Sequence, residues 1–199
     1  SSRRPQSDAR RRIRKRVMKS ICLYCGSSND VEPKYLDLAQ RLGATLADRG
    51  YRLVYGGGSV GLMGAAATAA HNAGGAVLGV MPRFLLSKER IFDSVEHRIV
   101  DTMHERKQMM YDESDAFIVL PGGIGTLEEA VEMLSWARLG LHSKPMAFLD
   151  EGEFWDPFFE LMDHIVGGKF TPAEFLDLFA HAKSPEEAIQ ALISRSKQM

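Results

Sequence analysis

Residues 115–129 read DAFIVLPGGIGTLEE, and this stretch decides the fold. Asp115–Leu120 is short, apolar and rich in β-branched and aromatic side chains, the composition of a strand covered on both faces. Thr126–Leu139 has helical spacing and no breaker, so Gly122, Gly123 and Gly125 join a strand to a helix. Such a turn leaves N–H groups bare at a helix N-terminus, where partial positive charge favours an anion. Thr126 is placed to cap the helix, and Glu129 follows three residues later with the spacing of a capping box. Two readings stand side by side: a helix start with no chemistry of its own, or the edge of an anion site that carries a carboxylate.

Upstream, Ser20–Tyr24 (SICLY) reads as a strand ending in Cys25-Gly26-Ser27-Ser28-Asn29, a turn whose amides and hydroxyls suit a phosphate or ribose. Tyr35–Arg49 repeats apolar residues at helical spacing (Leu38, Ala39, Leu42, Leu46) and stops at Gly50. The second strand, Tyr51–Tyr55, runs into Gly56-Gly57-Gly58-Ser59-Val60-Gly61-Leu62-Met63-Gly64 and an alanine-rich helix over 62–73. Gly56, Gly58 and Gly61 satisfy GxGxxG. A dinucleotide fold would place an acid at the tip of the next strand, yet Ala76–Val80 ends in Met81-Pro82. The loop is therefore glycine-rich without the NAD signature, and Gly61 and Gly64 serve close helix–sheet packing equally well.

Residues 82–94 lack a clean period and suit a lid or a subunit contact, with Glu89 as the acid of interest; a solvated loop carboxylate is the plainer alternative. Val95–Val100 reads as a strand and Met103–Ser114 as a helix. On that helix Arg106 lies three residues from Met103 and Met109 and four from Met110, which puts a guanidinium on an apolar face where it needs a partner. Lys107 follows on a neighbouring face, where a surface ion pair would also explain it. The helix after the glycine turn carries Leu127, Ala130, Val131, Met133, Leu134, Trp136, Ala137 and Leu139, apolar enough to cover the sheet and meet a second subunit. Met146–Leu149 is the last expected strand, followed by helices over 154–166 and 185–194 and a shorter one over 172–178. The alternation predicts an α/β fold with a doubly wound parallel sheet in three α/β/α layers, forming a single domain over residues 20–199.

The net charge of −1 conceals an uneven distribution. Residues 1–19 hold nine basic side chains against Asp8 alone, a charge of +8, whereas the remainder has 16 basic and 25 acidic residues and carries −9. A solvated basic arm accounts for this, as would attraction to the acidic body or to nucleic acid. Cys22 and Cys25 form a CxxC within a strand, on opposite faces, so the pair reads as two buried hydrophobes rather than a redox or zinc motif. No apolar run approaches a membrane span and no signal-peptide pattern opens the chain, and a soluble, cytoplasmic protein with no membrane partner is expected.

Taken together, Cys25-Gly-Ser-Ser, Tyr55-Gly-Gly-Gly-Ser-Val-Gly-Leu-Met-Gly, Met103-His-Glu-Arg-Lys and Pro121-Gly-Gly-Ile-Gly-Thr-Leu-Glu-Glu resemble the LOG family of cytokinin riboside 5′-monophosphate phosphoribohydrolases, long labelled lysine decarboxylases. The resemblance spans roughly residues 18–195. It implies a Rossmann-like homodimer that hydrolyses the N-glycosidic bond of an N6-modified AMP, and of AMP itself, to free base and ribose 5-phosphate. It makes Glu129 and Arg106 the catalytic pair, and Gly122, Gly123, Gly125 and Thr126 the phosphate cradle. Lys107 and Glu89 become further nucleotide contacts, with Gly26, Ser27, Gly57, Gly58, Met63, Ile124 and Glu128 completing the substrate-binding set. The spacing from Glu89 to Arg106 is one residue shorter than in plant members, and the basic arm lies outside the family pattern.

The chemistry fits these residue types. Breaking an N-glycosidic bond develops positive charge on the ribose, which a carboxylate stabilises while it aligns or deprotonates water. Arginine stays charged at neutral pH and so acts as a clamp on phosphate, sugar or Glu129. No cofactor or metal is expected, since HExxH and clustered ligands are missing and no lysine is marked for pyridoxal phosphate. A non-catalytic nucleotide or single-stranded nucleic-acid binder on a related fold is the alternative; a carboxylate beside an anion site argues against it.

Overall fold

A computed structural model describes residues 17–198; the basic arm falls outside the described residues up to residue 16. Seven strands form one parallel sheet: β1 (Ser20–Tyr24), β2 (Arg52–Tyr55), β3 (Val77–Pro82), β4 (Glu96–Val100), β5 (Ala116–Val119), β6 (Met146–Leu149) and β7 (Phe179–Ala182). Their order is β4-β3-β2-β1-β5-β6-β7. The chain thus winds outward from β1 in one direction, returns to its other side at β5, and winds outward again. Crossovers between strands supply the helices α1 (Pro33–Asp48), α2 (Gly61–Asn72), α3 (Met103–Asp112), α4 (Ile124–Arg138) and α5 (Asp156–Gly167), the β3–β4 connection holds only a 3-10 turn, and α6 (Pro185–Ser196) follows β7.

Strand alternation separates two cores. Ile21, Leu23 and Cys25 point into one, with Leu38, Leu42 and Leu46 of α1, Ala66 and Ala70 of α2, and Ile189 and Leu192 of α6. Cys22 and Tyr24 point into the other, with Met110 of α3, Met133 and Leu134 of α4, and Phe158 and Met162 of α5. The two thiols are buried, unpaired and on opposite faces, and burial pushes both up in pKa. α1 and α2 approach closely at Gly43, where a Cβ would lie 2.1 Å from the Ala66 carbonyl oxygen. No helix among the described residues is long and apolar enough to cross a membrane.

Three expectations need correction. β7 was not anticipated, because Phe-Ala-His-Ala at a sheet edge is short and only half buried. The segment over 172–178 is a 3-10 turn, Ala173–Leu178, as is Arg83–Ser87 within the expected lid. Thr126 does not cap α4. The helix starts two residues earlier, with Gly123 as N-cap in an extended conformation and no side-chain cap. The capping box sits instead on α3, where Thr102 Oγ1 accepts from Glu105 N at 3.1 Å and Glu105 Oε2 accepts from Thr102 N at 3.3 Å.

Candidate active site

The winding reverses between β1 and β5, and in open parallel sheets the crevice beyond that point is where ligands bind. The loops leaving both strands meet there: Gly26 N donates to Pro121 O at 3.1 Å, and a Cβ on Gly26 would lie 3.4 Å from Gly122 Cα. Gly122 must be glycine, because a Cβ would stand 2.1 Å from Thr126 Oγ1. Thr126 is buried beneath the turn, which frees Glu129 from any capping duty.

The two glycine loops differ in what their helix ends can do. At α2, Gly61 N donates to Asn29 Oδ1 at 2.7 Å and Met63 N to Gly26 O at 3.2 Å, so leading amides are already used. Gly61, at φ +64, also packs on the Ser27 backbone, where a Cβ would be 2.4 Å from its carbonyl carbon. At α4, the N–H groups of Ile124, Gly125 and Thr126 have no acceptor among the described residues, and nothing lies within 4 Å of a Cβ built on Gly123 or Gly125. The open anion-binding end is therefore that of α4.

Arg106 is 6% exposed. Its Nε donates to Val80 O at 3.0 Å and its Nη2 to Gly56 O at 2.5 Å, tying α3 to the ends of β3 and β2. A Cβ on Gly56 would lie 2.2 Å from Nη2, so glycine there makes room for the guanidinium. Gly57, at φ +88, turns its carbonyl to His97 Nε2 at 3.2 Å. Met63 covers the same loop, with Cε 3.2 Å from the Cβ position of Gly56 and Sδ 3.4 Å from that of Gly58.

Across from Arg106, Glu129 makes no hydrogen bond or ion pair among the described residues. Burial pushes its carboxyl up to about 7; Arg106 and Lys107 oppose the shift, while Glu128 and Glu132 add to it. Glu89 Oε2, on the loop after Arg83–Ser87, is buried without a partner and lies 3.9 Å from the Cβ position of Gly58. Lys107 Nζ donates to Glu128 Oε1 at 2.7 Å and Glu132 Oε2 at 2.9 Å, so two expected substrate contacts hold each other. Ser27 stands exposed on the loop after β1.

Sequence reasoning missed Asn29, His97 and Glu132. Only Glu132 left a signal, standing four residues after Glu128 on one helix face; the other two act across the chain on backbone atoms. Asp150, Asp156 and His181, beyond β6 and β7, place possible metal-ligand atoms within 4.8 Å of one another. Asp150 Oδ1 already accepts from Lys183 Nζ and His181 Nε2 at 2.8 Å, and its Oδ2 accepts from Trp155 N at 2.8 Å. An ammonium thus fills the place of a cation.

Residues 63–192 match a family model described as possible lysine decarboxylase. The rice protein Cytokinin riboside 5′-monophosphate phosphoribohydrolase LOG (Oryza sativa subsp. japonica) is 43% identical over 180 residues, covering 90% of this chain and 74% of its own. A cytokinin riboside 5′-monophosphate phosphoribohydrolase of Arabidopsis thaliana is 42% identical over 181 residues, covering 90% and 79%. Among solved structures, the molybdenum cofactor carrier protein of Chlamydomonas reinhardtii superposes with a TM-score of 0.69 at 23% identity, covering 92% of this chain and 100% of its own, and so shares the fold.

Proposed function

Because the chain belongs to the LOG family of cytokinin riboside 5′-monophosphate phosphoribohydrolases, we propose that Glu129 and Arg106 carry its hydrolysis of a nucleoside 5′-monophosphate to free base and ribose 5-phosphate. Substrates are AMP bearing an N6 substituent, and AMP itself. The observation that carries the reading is the open N-terminus of α4 beside a partner-free carboxylate whose pKa lies near 7.

The 5′-phosphate lies on the N–H groups of Ile124, Gly125 and Thr126, with Gly122, Gly123 and Gly26 leaving room for it. That places the ribose toward Gly57, Gly58 and Met63, where the unpartnered Glu89 oxygen accepts from a sugar hydroxyl. As the C1′–N bond lengthens, Glu129 faces the positive charge that grows on the ribose. Water then adds at C1′ as the C1′–N bond breaks, and Glu129 takes the proton that the water gives up. That proton passes through solvent to the nitrogen of the departing base, which leaves neutral and returns Glu129 to its carboxylate form. Arg106 holds the Gly56 and Val80 carbonyls and, through its charge, keeps a fraction of Glu129 ionised at neutral pH. Lys107, Glu128 and Ser27 line the approach.

A homodimer accompanies this reading. Ile124 is 82% exposed at the mouth of the site, and Val131, Leu139 and Leu141 continue an apolar surface along α4 and the turn after it. Two unpaired thiols fit a reducing cytoplasm. A panel of 5′-monophosphates and their nucleosides, read by release of free base, tests the function. Release from the monophosphates and not from the nucleosides is expected, and release from neither refutes it.

A further inference from the structure

The Lys107 side chain is 11% exposed, and its ammonium lies between two carboxylates of α4, Glu128 at 2.7 Å and Glu132 at 2.9 Å. Glu129 sits between those two acids in sequence, and Arg106, Lys107, Glu128 and Glu132 all act on its charge. Three carboxylates within five residues of one helix repel one another, and an ammonium bound to two of them offsets most of that repulsion. Glu128 is half exposed at 49%, whereas Glu132 is 26% exposed, so Glu132 is the better-shielded anchor for the cation.

We propose that Glu132 is a positioning residue: it pins Lys107 beside Glu129, so that the catalytic carboxylate borders a neutralised pair rather than a free anion. The inference rests on Glu129 being the catalytic carboxylate. The charged and titratable groups around Glu129 are Arg106 and Lys107 from α3, Glu128 and Glu132 from α4, Cys22 and Tyr24 on β1, and Cys25 just after it. The β1 groups are buried and held neutral, so that burial raises the Glu129 pKa and the four charges on the helices modulate it. A positioned pair has a signature that independent charges lack. Removing Glu132 takes away a repulsion and loosens the cation together, two effects of opposite sign; without Lys107, only the repulsion remains.

The test follows the carboxyl resonance of Glu129 by pH titration of 13C-labelled protein, assigned by its loss in Glu129→Gln, in wild type, E132Q, K107M and the double variant. The expected result is a Glu129 pKa lower by less than about half a unit in E132Q, higher by about one unit in K107M, and lowered by about one unit when E132Q is added to K107M. Equal shifts from E132Q in both backgrounds, or none in either, would overturn the proposal. Release of base from AMP is measured on the same samples. An inactive wild type counts against the hydrolase reading, while the titration still decides the role of Glu132. A raised KM for AMP in E132Q with no change in the titrations would make Glu132 a substrate contact and also overturn the proposal.

Discussion

Arg106 Nη2 donates to the carbonyl oxygen of Gly56 at 2.5 Å, and a methyl group on Gly56 would come within 2.2 Å of that nitrogen. Gly56→Ala should therefore expel the guanidinium from a buried site where two carbonyls depend on it. The expected cost is about 1–3 kcal/mol in urea unfolding, with a loss of base release on the order of 100-fold. Near wild-type turnover would show that the arginine's seat has no bearing on the chemistry.

Glu129 should destabilise the chain that carries it. Its folded pKa of about 7 exceeds the ordinary 4.5, so between those values the folded chain keeps a proton that the unfolded chain has lost. Stability falls as pH rises through that window and stays lowered above it. Glu129→Gln should raise stability at pH 8 by up to about 3 kcal/mol, less where solvent reaches the carboxylate, and leave it little changed near pH 4.5. Denaturant midpoints at the two pH values check this.

His142 should act in the opposite direction. Its Nδ1 accepts from Lys144 N at 3.0 Å and its Nε2 donates to Met133 O at 2.8 Å, an arrangement that only the neutral ring can make. Burial lowers its pKa, and the nearby Lys144 charge acts in the same sense. The stability it confers is complete above about 6.5 and is lost as pH falls toward the lowered folded value. In the Glu129→Gln background, which removes the opposing trend, His142→Gln should flatten the acid limb of the stability curve.

Thr102→Ala should cost about 1 kcal/mol in thermal or urea unfolding, because it removes the cap of the helix that carries Arg106 and Lys107. No change in stability would argue against the capping box.

Much of this architecture was legible in the residues. The apolar runs at Ile21, Leu53 and Phe117 marked central strands buried on both faces, and the crossover rule turned their order into a doubly wound sheet. Phe179–Ala182 escaped because an edge strand of four residues, only partly buried, has no such run. The glycine turn was recognised, but its capping box was misplaced: Thr126-x-x-Glu129 and Thr102-x-x-Glu105 share one pattern, and only backbone geometry distinguishes them. The burial of Arg106 followed from its methionine neighbours, whereas its carbonyl partners, 26 and 50 residues away, did not. Nor did the pairing of Lys107 with Glu128 and Glu132, which depends on how α3 meets α4.

The most direct measurement compares wild type with Glu129→Gln for release of free base from AMP and N6-isopentenyl-AMP, with nucleotide binding followed by calorimetry on the same samples. The account predicts base release by wild type, a loss of about 1,000-fold or more in the variant, and nucleotide affinity that is retained or increased as a negative charge leaves the site. Turnover by Glu129→Gln at the wild-type rate would contradict it.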